Sequence, residues 1–381
     1  MNLYEWEGKK IFEKYGITIP KGVVVRRGEN AEAAYESLGV KEVAVKAQIL
    51  SGKRGKNNGI KFASSKEEAK KITEEMFGIN ILGQYVAAVL IEERLQIVSE
   101  QYISITYDTN IKQPVMIFSA VGGIDIEDVT PEKIKKIPLD IRSEQVTENF
   151  IFAEPLWKCF LSEDARLMEI NPLILTSEGK YVAADAKVAL DEDAFFRHDA
   201  WQKFEPRTMM GRLPTEREIA VTKIDEGANY YRGTAGKYIE MDGDVAILFS
   251  GGGASISNMD ALIQAGCKPA NYTEYSGNPP REKVYNLVKI VLSKPGLRGL
   301  WIAGGVANFT NIAETFQGIV DALDELKPKY PIVVRRAGPF DSEGKKIMED
   351  CAARNNLKLK YFDKDTPMSA TAVVLAEMIG K

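Results

Sequence analysis

Apolar and polar positions alternate differently in the two halves of the chain. Near the start, Tyr4, Gly8, Ile11, Phe12 and Tyr15 recur every three or four residues and predict a helix, stopped by Gly16 and Pro20. Between residues 21 and 110 the short apolar runs GVVV, EVAVKA, VAAVLIEE and QYISITYD read as strands. The charged stretch SSKEEAKKITEEMFG among them reads as a helix. PVMIFSA and the loop VGGIDIEDV follow, then a mostly polar, helix-like region to about residue 165. LMEINPLIL, the turn TSEGK and YVAADAKVAL predict a hairpin. Residues 199–240 are polar and irregular and read as a linker.

From residue 242 the rhythm changes. DVAILFS, PANYTEY, LRGLWIA, PIVVRR and LKLKYF are short apolar strands separated by helical stretches. Strands alternating with helices predict a doubly wound parallel sheet, whose ligands sit at the carboxyl ends of the strands. Ile312, Phe316, Ile319, Val320 and Leu323 share one helical face, which places Asn308 and Thr310 at a helix N-terminus. The expected domains are residues 1–235 and 240–381.

Composition narrows the class. The 381 residues exceed one typical core, so more than one domain is expected. A net charge of −4 argues against non-specific nucleic-acid binding. The start MNLYEWEGKK carries charges where a signal peptide needs an apolar core, and no apolar run approaches the ~20 residues of a membrane span. Cys159, Cys267 and Cys351 are too scattered for a metal motif or disulfide framework, and a reducing cytoplasm is the expected setting.

Four stretches carry chemistry. VAVKAQILSGKRGKNNGIKF sets Lys46 on a strand before a Gly- and Lys-rich loop, a sensible phosphate clamp without a Walker A spacing. A solvated basic hairpin reads the same way. MEINPLIL and YVAADAKVAL bring Glu169, Asn171 and Asp185 to paired strands, oxygen ligands suited to Mg²⁺. The alternative is the polar face of an exposed hairpin. ILFSGGGASIS is a strand, a glycine turn and a helix start, favourable to phosphate or carboxylate or simply to tight packing. Finally, GGVANFT offers backbone N–H groups, the Asn308 amide and the Thr310 hydroxyl, and VRR ends a strand with Arg335 and Arg336. Side chains alternate along a strand, so one arginine of the two is expected to enter the site and grip a carboxylate with two hydrogen bonds. A polycarboxylate is the inferred ligand; a helix cap beside a surface arginine pair is the plainer alternative.

NLYEWEGKKIFEKYGI, VKAQILSGKRGK, GGIDIED and MEINPL…DAK together resemble the succinyl-CoA synthetase β-subunit family over nearly the whole chain. The resemblance implies an ATP-grasp domain followed by a flavodoxin-like doubly wound domain. It implies that Lys46, Lys53, Arg54, Gly55, Glu92, Leu95 and Glu100 contact ATP and that Asn171 and Asp185 hold Mg²⁺. Glu169 would orient a phosphohistidine carried by an α-type partner, which would also bind most of CoA. Gly251, Gly252 and Gly253 would form the helix N-terminus facing that histidine. The chain's single histidine, His198, is read as a surface or packing residue.

The second half departs from the succinate type. YTEYSGNPP, GGVANFTNIAETFQGIV and VVRRAGP resemble the ATP-citrate lyase and citryl-CoA synthetase branch. That branch implies citrate binding by Asn308, Phe309, Thr310 and Arg336, with Gly252, Gly253, Ser276 and Gly277 closing the pocket. The expected function is therefore the ATP- and citrate-binding subunit of a cytoplasmic enzyme that makes citryl-CoA. A citryl-CoA lyase module is not expected within these residues. The rivals are an ADP-forming succinyl-CoA synthetase β subunit and a non-catalytic citrate-sensing subunit. The intact Lys46, Glu169, Asn171 and Asp185 set argues against the latter.

Overall fold

The computed structural model describes every residue except 51–53, 144, 205–206, 209–213 and 227–230. It divides into two compact units, Met1–Leu213 and Pro214–Lys381. The first contains α1 (Glu5–Lys14), β1 (Gly22–Val25), α2 (Ala31–Leu38), β2 (Val43–Gln48), β3 (Ile60–Ala63), α3 (Lys66–Gly78), β4 (Asn80–Ile81), β5 (Gln84–Tyr85) and β6 (Ala88–Glu93). It continues with β7 (Ile97–Asp108), β8 (Gln113–Ser119), β9 (Ile134–Pro138), α4 (Ala153–Ser162), β10 (Ala165–Thr176), β11 (Tyr181–Ala183) and β12 (Lys187–Leu190).

Two larger antiparallel sheets result, beside the two-stranded antiparallel pair β4-β5. One runs β1-β6-β2-β3; Val43, Val45, Val89 and Ile91 bury one face against Ala69, Ile72 and Met76 of α3. The other runs β11-β10-β7-β8-β9, with β12 also paired to β10. Its core gathers Ile103, Ile105, Met168 and Ile170 with Phe12 of α1 and Leu156, Trp157 and Phe160 of α4.

The second unit holds α5 (Glu216–Thr222), β13 (Thr234–Glu240), β14 (Val245–Ser250), α6 (Gly252–Gln264), β15 (Asn271–Ser276), α7 (Arg281–Leu292), β16 (Gly299–Val306), α8 (Ile312–Leu326), β17 (Ile332–Ala337), α9 (Asp341–Asn355), β18 (Leu359–Phe362) and α10 (Met368–Met378). The sheet order is β13-β15-β14-β16-β17-β18. All neighbours are parallel except β13, which runs antiparallel to β15. The parallel strands thus follow the 2-1-3-4-5 order of flavodoxin-like folds, whose switch point lies between the first and third strands, here β14 and β16. Helices α7, α8 and α9 cover one face and α6 and α10 the other.

The structure corrects four local expectations. Residues 216–222 and 234–240 are not linker. Thr215 caps α5 in a reciprocal pair with Glu218, and Ala235 and Tyr238 of β13 are buried in the second core, so the division falls at Leu213/Pro214 rather than near residue 235. The region before residue 165 is not simply polar helix: it contains β9, and α4 is an apolar helix buried against the first core. The hairpin's second arm is broken. β11 pairs with Leu173–Leu175 and β12 with the other end of β10, leaving Asp185 in the gap. Helix α6 begins at Gly252, earlier than Ser255, because Gly251 turns the chain at φ 95°.

Candidate active site

Two sites take shape, one in each unit. In the first, Lys46 lies within β2, and every residue of that strand is buried. An ammonium without water needs anions, and α1 supplies one. Glu5 accepts from Lys46 at 3.0 Å, from Lys9 at 2.7 Å and from Arg54 at 2.5 Å. Glu92 on β6 pairs with Lys9 at 2.6 Å and also with Lys46. The Lys46 ammonium further donates to the Ala184 carbonyl at 2.7 Å. Burial alone would raise the Glu5 carboxyl, but Arg54, Lys46 and Lys9 hold it well below the ordinary range. Burial likewise opposes the Lys46 charge, yet Glu5 and Glu92 raise its pKa overall. Arg54 completes the network by donating Nη2 to both oxygens of Asp185 at 2.7 Å.

Above this network opens a cleft of about 340 Å³. Arg54, Gly55, Tyr102, Glu169, Asn171 and Asp185 line it with the loop 123–127. Asn171 fixes that loop from both ends of its amide, accepting from the Gly123 N–H at 2.9 Å and donating to the Ile124 carbonyl at 2.9 Å. The paired glycines are needed there: a Cβ on Gly122 would stand 2.2 Å from the Gln101 carbonyl oxygen, and one on Gly123 would meet the Glu100 carboxylate. Tyr102 donates to Glu169 at 3.1 Å. Burial raises the Glu169 carboxyl, Lys187 and Tyr102 partly offset that, and Asp185 raises it further.

Asn171 and Asp185 fit a hard cation. Both are oxygen-bearing side chains lining one cleft, where Asn171 Oδ1 accepts from the Gly123 N–H and the Asp185 oxygens accept from Arg54. Among the described residues no group of three or more His, Cys, Asp or Glu is arranged to hold a metal by itself. Mg²⁺ takes one or two carboxylates and leaves its other positions to phosphates and water.

In the second unit the strand ends form the other site. The two arginines of β17 point to opposite faces, as alternation requires. Arg335 is spent on structure: Nε, Nη1 and Nη2 donate to the carbonyls of Thr366, Gly304 and Lys364, each at 2.9 Å. Arg336 differs. Its Nη1 donates to the Gly305 carbonyl at 2.5 Å, but its buried Nε–H meets no acceptor. Burial lowers its pKa, and the neighbouring Arg335 adds to that. Gly304 gives the guanidinium room, since a Cβ there would lie 2.7 Å from Nη1.

The surrounding loops converge on this end of the sheet. Helix α8 is capped by Asn311, which accepts from the Glu314 N–H, so Asn308 and Thr310 precede the helix rather than cap it. Thr310 is buried, whereas Asn308 and Phe309 are exposed. Asn278 accepts from the Asn311 N–H at 3.0 Å and ties the Ser276–Gly277 turn to the start of α8. Gly251–Gly253 open α6 on the opposite face, where the Glu274 carboxylate comes within 3.3 Å of a Cβ built on Gly252.

Of the expected nucleotide and metal residues, the cleft brings together Arg54, Gly55, Glu169, Asn171 and Asp185. Lys46 and Glu92 lie in the ion network rather than on the cleft lining. Leu95, in the turn before β7, and Glu100, on β7 against Gly123, are also absent from that lining. Lys53 falls outside the described residues. Sequence reasoning missed Glu5, Tyr102 and Asn278. Only Glu5 left a signal, sharing a helical face with Lys9 four residues later. His198 stacks on Trp201 with ring centroids 3.9 Å apart and bonds Asp164 at 2.6 Å, a packing role.

Comparison with known proteins adds independent findings. A family model described as an ATP-grasp domain matches residues 2–151, and one described as ATP citrate lyase citrate-binding matches residues 212–378. The succinate–CoA ligase [ADP-forming] subunit beta of Methanocaldococcus jannaschii is 36% identical over 374 residues, covering 92% of this chain and 94% of that protein. Its counterpart from Desulfurococcus amylolyticus is 33% identical over 371 residues, covering 91% and 93%. Among solved structures, ATP citrate lyase from Methanothrix soehngenii, in complex with citrate and coenzyme A, aligns over 99% of both chains with a TM-score of 0.79 and 25% identity. The first unit is thus an ATP-grasp domain and the second a parallel-sheet domain, as the resemblance implied. Among the described residues no helix is long and apolar enough to cross a membrane.

Proposed function

Starting from a chain that belongs to the succinyl-CoA synthetase β-subunit family, we propose that it is the ATP- and citrate-binding subunit of an enzyme that activates citrate to citryl-CoA. The observation that carries this reading is Arg336. A buried guanidinium whose Nε–H meets no acceptor, at the carboxyl end of a parallel strand, calls for an anionic ligand. Citrate offers three carboxylates and a hydroxyl, and Thr310, Asn308 and the Ser276–Gly277 turn add donors nearby. The citrate-binding family match over residues 212–378 supports the same choice.

The chemistry divides between the domains. ATP occupies the cleft of the ATP-grasp domain, where Arg54 and Gly55 meet its phosphates. Asn171 and Asp185 would hold Mg²⁺, which when bound neutralises charge on the transferring phosphoryl group. Glu169, positioned by Tyr102, accepts a hydrogen bond from the partner's histidine and so orients the ring nitrogen that takes the γ-phosphoryl group, releasing ADP. The phosphoryl group then moves to a citrate carboxylate held by Arg336, giving citryl phosphate. The CoA thiolate attacks the activated carbonyl and phosphate leaves. The α-type partner supplies the histidine and most of the CoA site.

Reconstitution of the chain with its α-type partner tests this. Mg-ATP should place acid-labile phosphate on the partner's histidine, and citrate plus CoA should discharge it with formation of a thioester. Discharge by succinate and not by citrate would instead favour a succinyl-CoA synthetase β subunit. That second reading is supported by the names of relatives 33–36% identical over more than nine-tenths of the chain.

A further inference from the structure

Three buried side-chain polar atoms among the described residues lack a hydrogen-bond partner: Asp244 Oδ1, the Tyr275 hydroxyl and Arg336 Nε. Asp244 still has a cation at hand, with Arg298 at 3.5 Å. The other two stand together. Ser250 of β14 is in register with Tyr275 of β15 on one side and with Gly304 of β16 on the other. One strand further, Ala303 pairs with Arg335 and the register then shifts, but a Cβ built on Gly304 would lie 2.7 Å from Arg336 Nη1 and 3.1 Å from the Ser250 Cβ, which puts Arg336 beside Gly304 and Ser250.

Alternation puts all four on one face. Leu248, Ile302 and Val334, each two residues earlier on its strand, lie in the same core cluster as Tyr275. The row therefore reads tyrosine, serine, glycine, arginine across the carboxyl end of the sheet. The glycine leaves a gap that the guanidinium enters.

We infer that Tyr275 is a further substrate-binding residue, donating its hydroxyl to the same carboxylate that Arg336 grips. This rests on the reading of Arg336 as a carboxylate anchor. Both orphan groups point the same way chemically. The Arg336 Nε–H can only donate, and a phenol deep in the sheet keeps its proton, since burial raises its pKa. Two buried donors on one face with no acceptor call for an anionic acceptor, and a core tyrosine with no such task would serve better as phenylalanine. A carboxylate accepting from both would satisfy the two groups at once.

The test is a double-mutant cycle on the full chain with its co-purified partner. Citrate and succinate are titrated into wild type, Tyr275→Phe, Arg336→Lys and the double variant, with thermal midpoints recorded for each. A hydrogen bond to a charged group corresponds to a roughly tenfold to hundredfold rise in Kd for Tyr275→Phe. The double variant should fall short of the product of the single effects, because both residues hold one carboxylate. A Tyr275→Phe protein that binds as tightly as wild type overturns the assignment, as does a strictly multiplicative double variant. Binding of succinate instead of citrate would sink the citrate reading yet uphold the pair, provided Tyr275→Phe weakens succinate to the same degree. Binding of neither acid by the wild-type complex would overturn both.

Discussion

The Arg54 guanidinium reaches across 131 residues of sequence to hold Asp185, with Nη2 2.7 Å from each carboxylate oxygen. The contact joins the loop after β2 to the gap between β11 and β12. It thereby sets a residue that would carry metal against one that would meet phosphate.

The same guanidinium reaches Glu5, which makes that carboxylate the centre of the buried network. Glu5→Ala would leave Lys9, Lys46 and Arg54 with too few anions. Removing one partner from a buried ionic network costs about 3–5 kcal/mol. Urea unfolding of the full chain should register a loss of that order; a loss under about 1 kcal/mol would show that the network is not held together by Glu5.

Asp185 plays a different part, because its side chain keeps about 30% exposure to the cleft. Asp185→Asn keeps the shape and removes the charge. Mg²⁺-dependent ATP use should fall at least about tenfold, the scale on which even the neighbours of metal ligands act. Initial rates across a Mg²⁺ titration measure this. An unchanged Mg²⁺ requirement would remove Asp185 from the site.

Gly122→Ala probes the loop over the cleft. A Cβ there would collide with the Gln101 backbone, so the loop must move away from β7 and pull Gly123 and Ile124 from Asn171. Forcing extra volume into a packed position costs about 1–3 kcal/mol. Faster amide exchange at Gly123 than in wild type is the expected signature, and unaltered exchange would contradict the packing argument.

Much of the fold is legible in the sequence because its signals are local. Short continuous apolar runs mark β2, β6, β14 and β16, the 3.6 period marks α1 and α8, and glycines mark the turns that open α6 and precede α8. What escapes is long-range. Lys46 on a strand reads the same whether its anion is a phosphate or the carboxylates of Glu5 and Glu92, which come from α1 and β6. Glu5 and Lys9 stand one helical turn apart, a spacing that also serves solvated surface pairs, yet both are buried. Arg335 and Arg336 are equal in sequence and opposite in role, since only the fold shows which one three carbonyls consume. Helix α4 hides among polar residues because its apolar face spans only ten residues.

The second domain carries a pH-sensitive clasp at its edge. Glu240 of β13 accepts from Arg217 of α5 at 2.8 Å and from Tyr238 at 2.9 Å, and pairs with Lys294 at 3.0 Å. Burial would raise its pKa, but these partners lower it from 4.5 to about 2. A depressed carboxyl stabilises the fold above its unfolded pKa, and that contribution is lost as pH falls from about 4.5 to about 2. Glu240→Gln should cost about 1–2 kcal/mol at pH 7 and flatten the acid slope in this window. Thermal midpoints from pH 7 to 2 test it, and parallel curves for the two proteins would refute the assignment.

The central claim is that Arg336 anchors a polycarboxylate, and calorimetric titration of the complex addresses it most directly. Citrate and succinate are titrated into wild type and into Arg336→Ala. Citrate should bind the wild type and lose at least about tenfold in affinity in the variant, as expected for removal of a charged hydrogen-bond donor. Succinate should bind far more weakly than citrate. Equal citrate binding by the two proteins, or tight binding of succinate alone, would contradict the account.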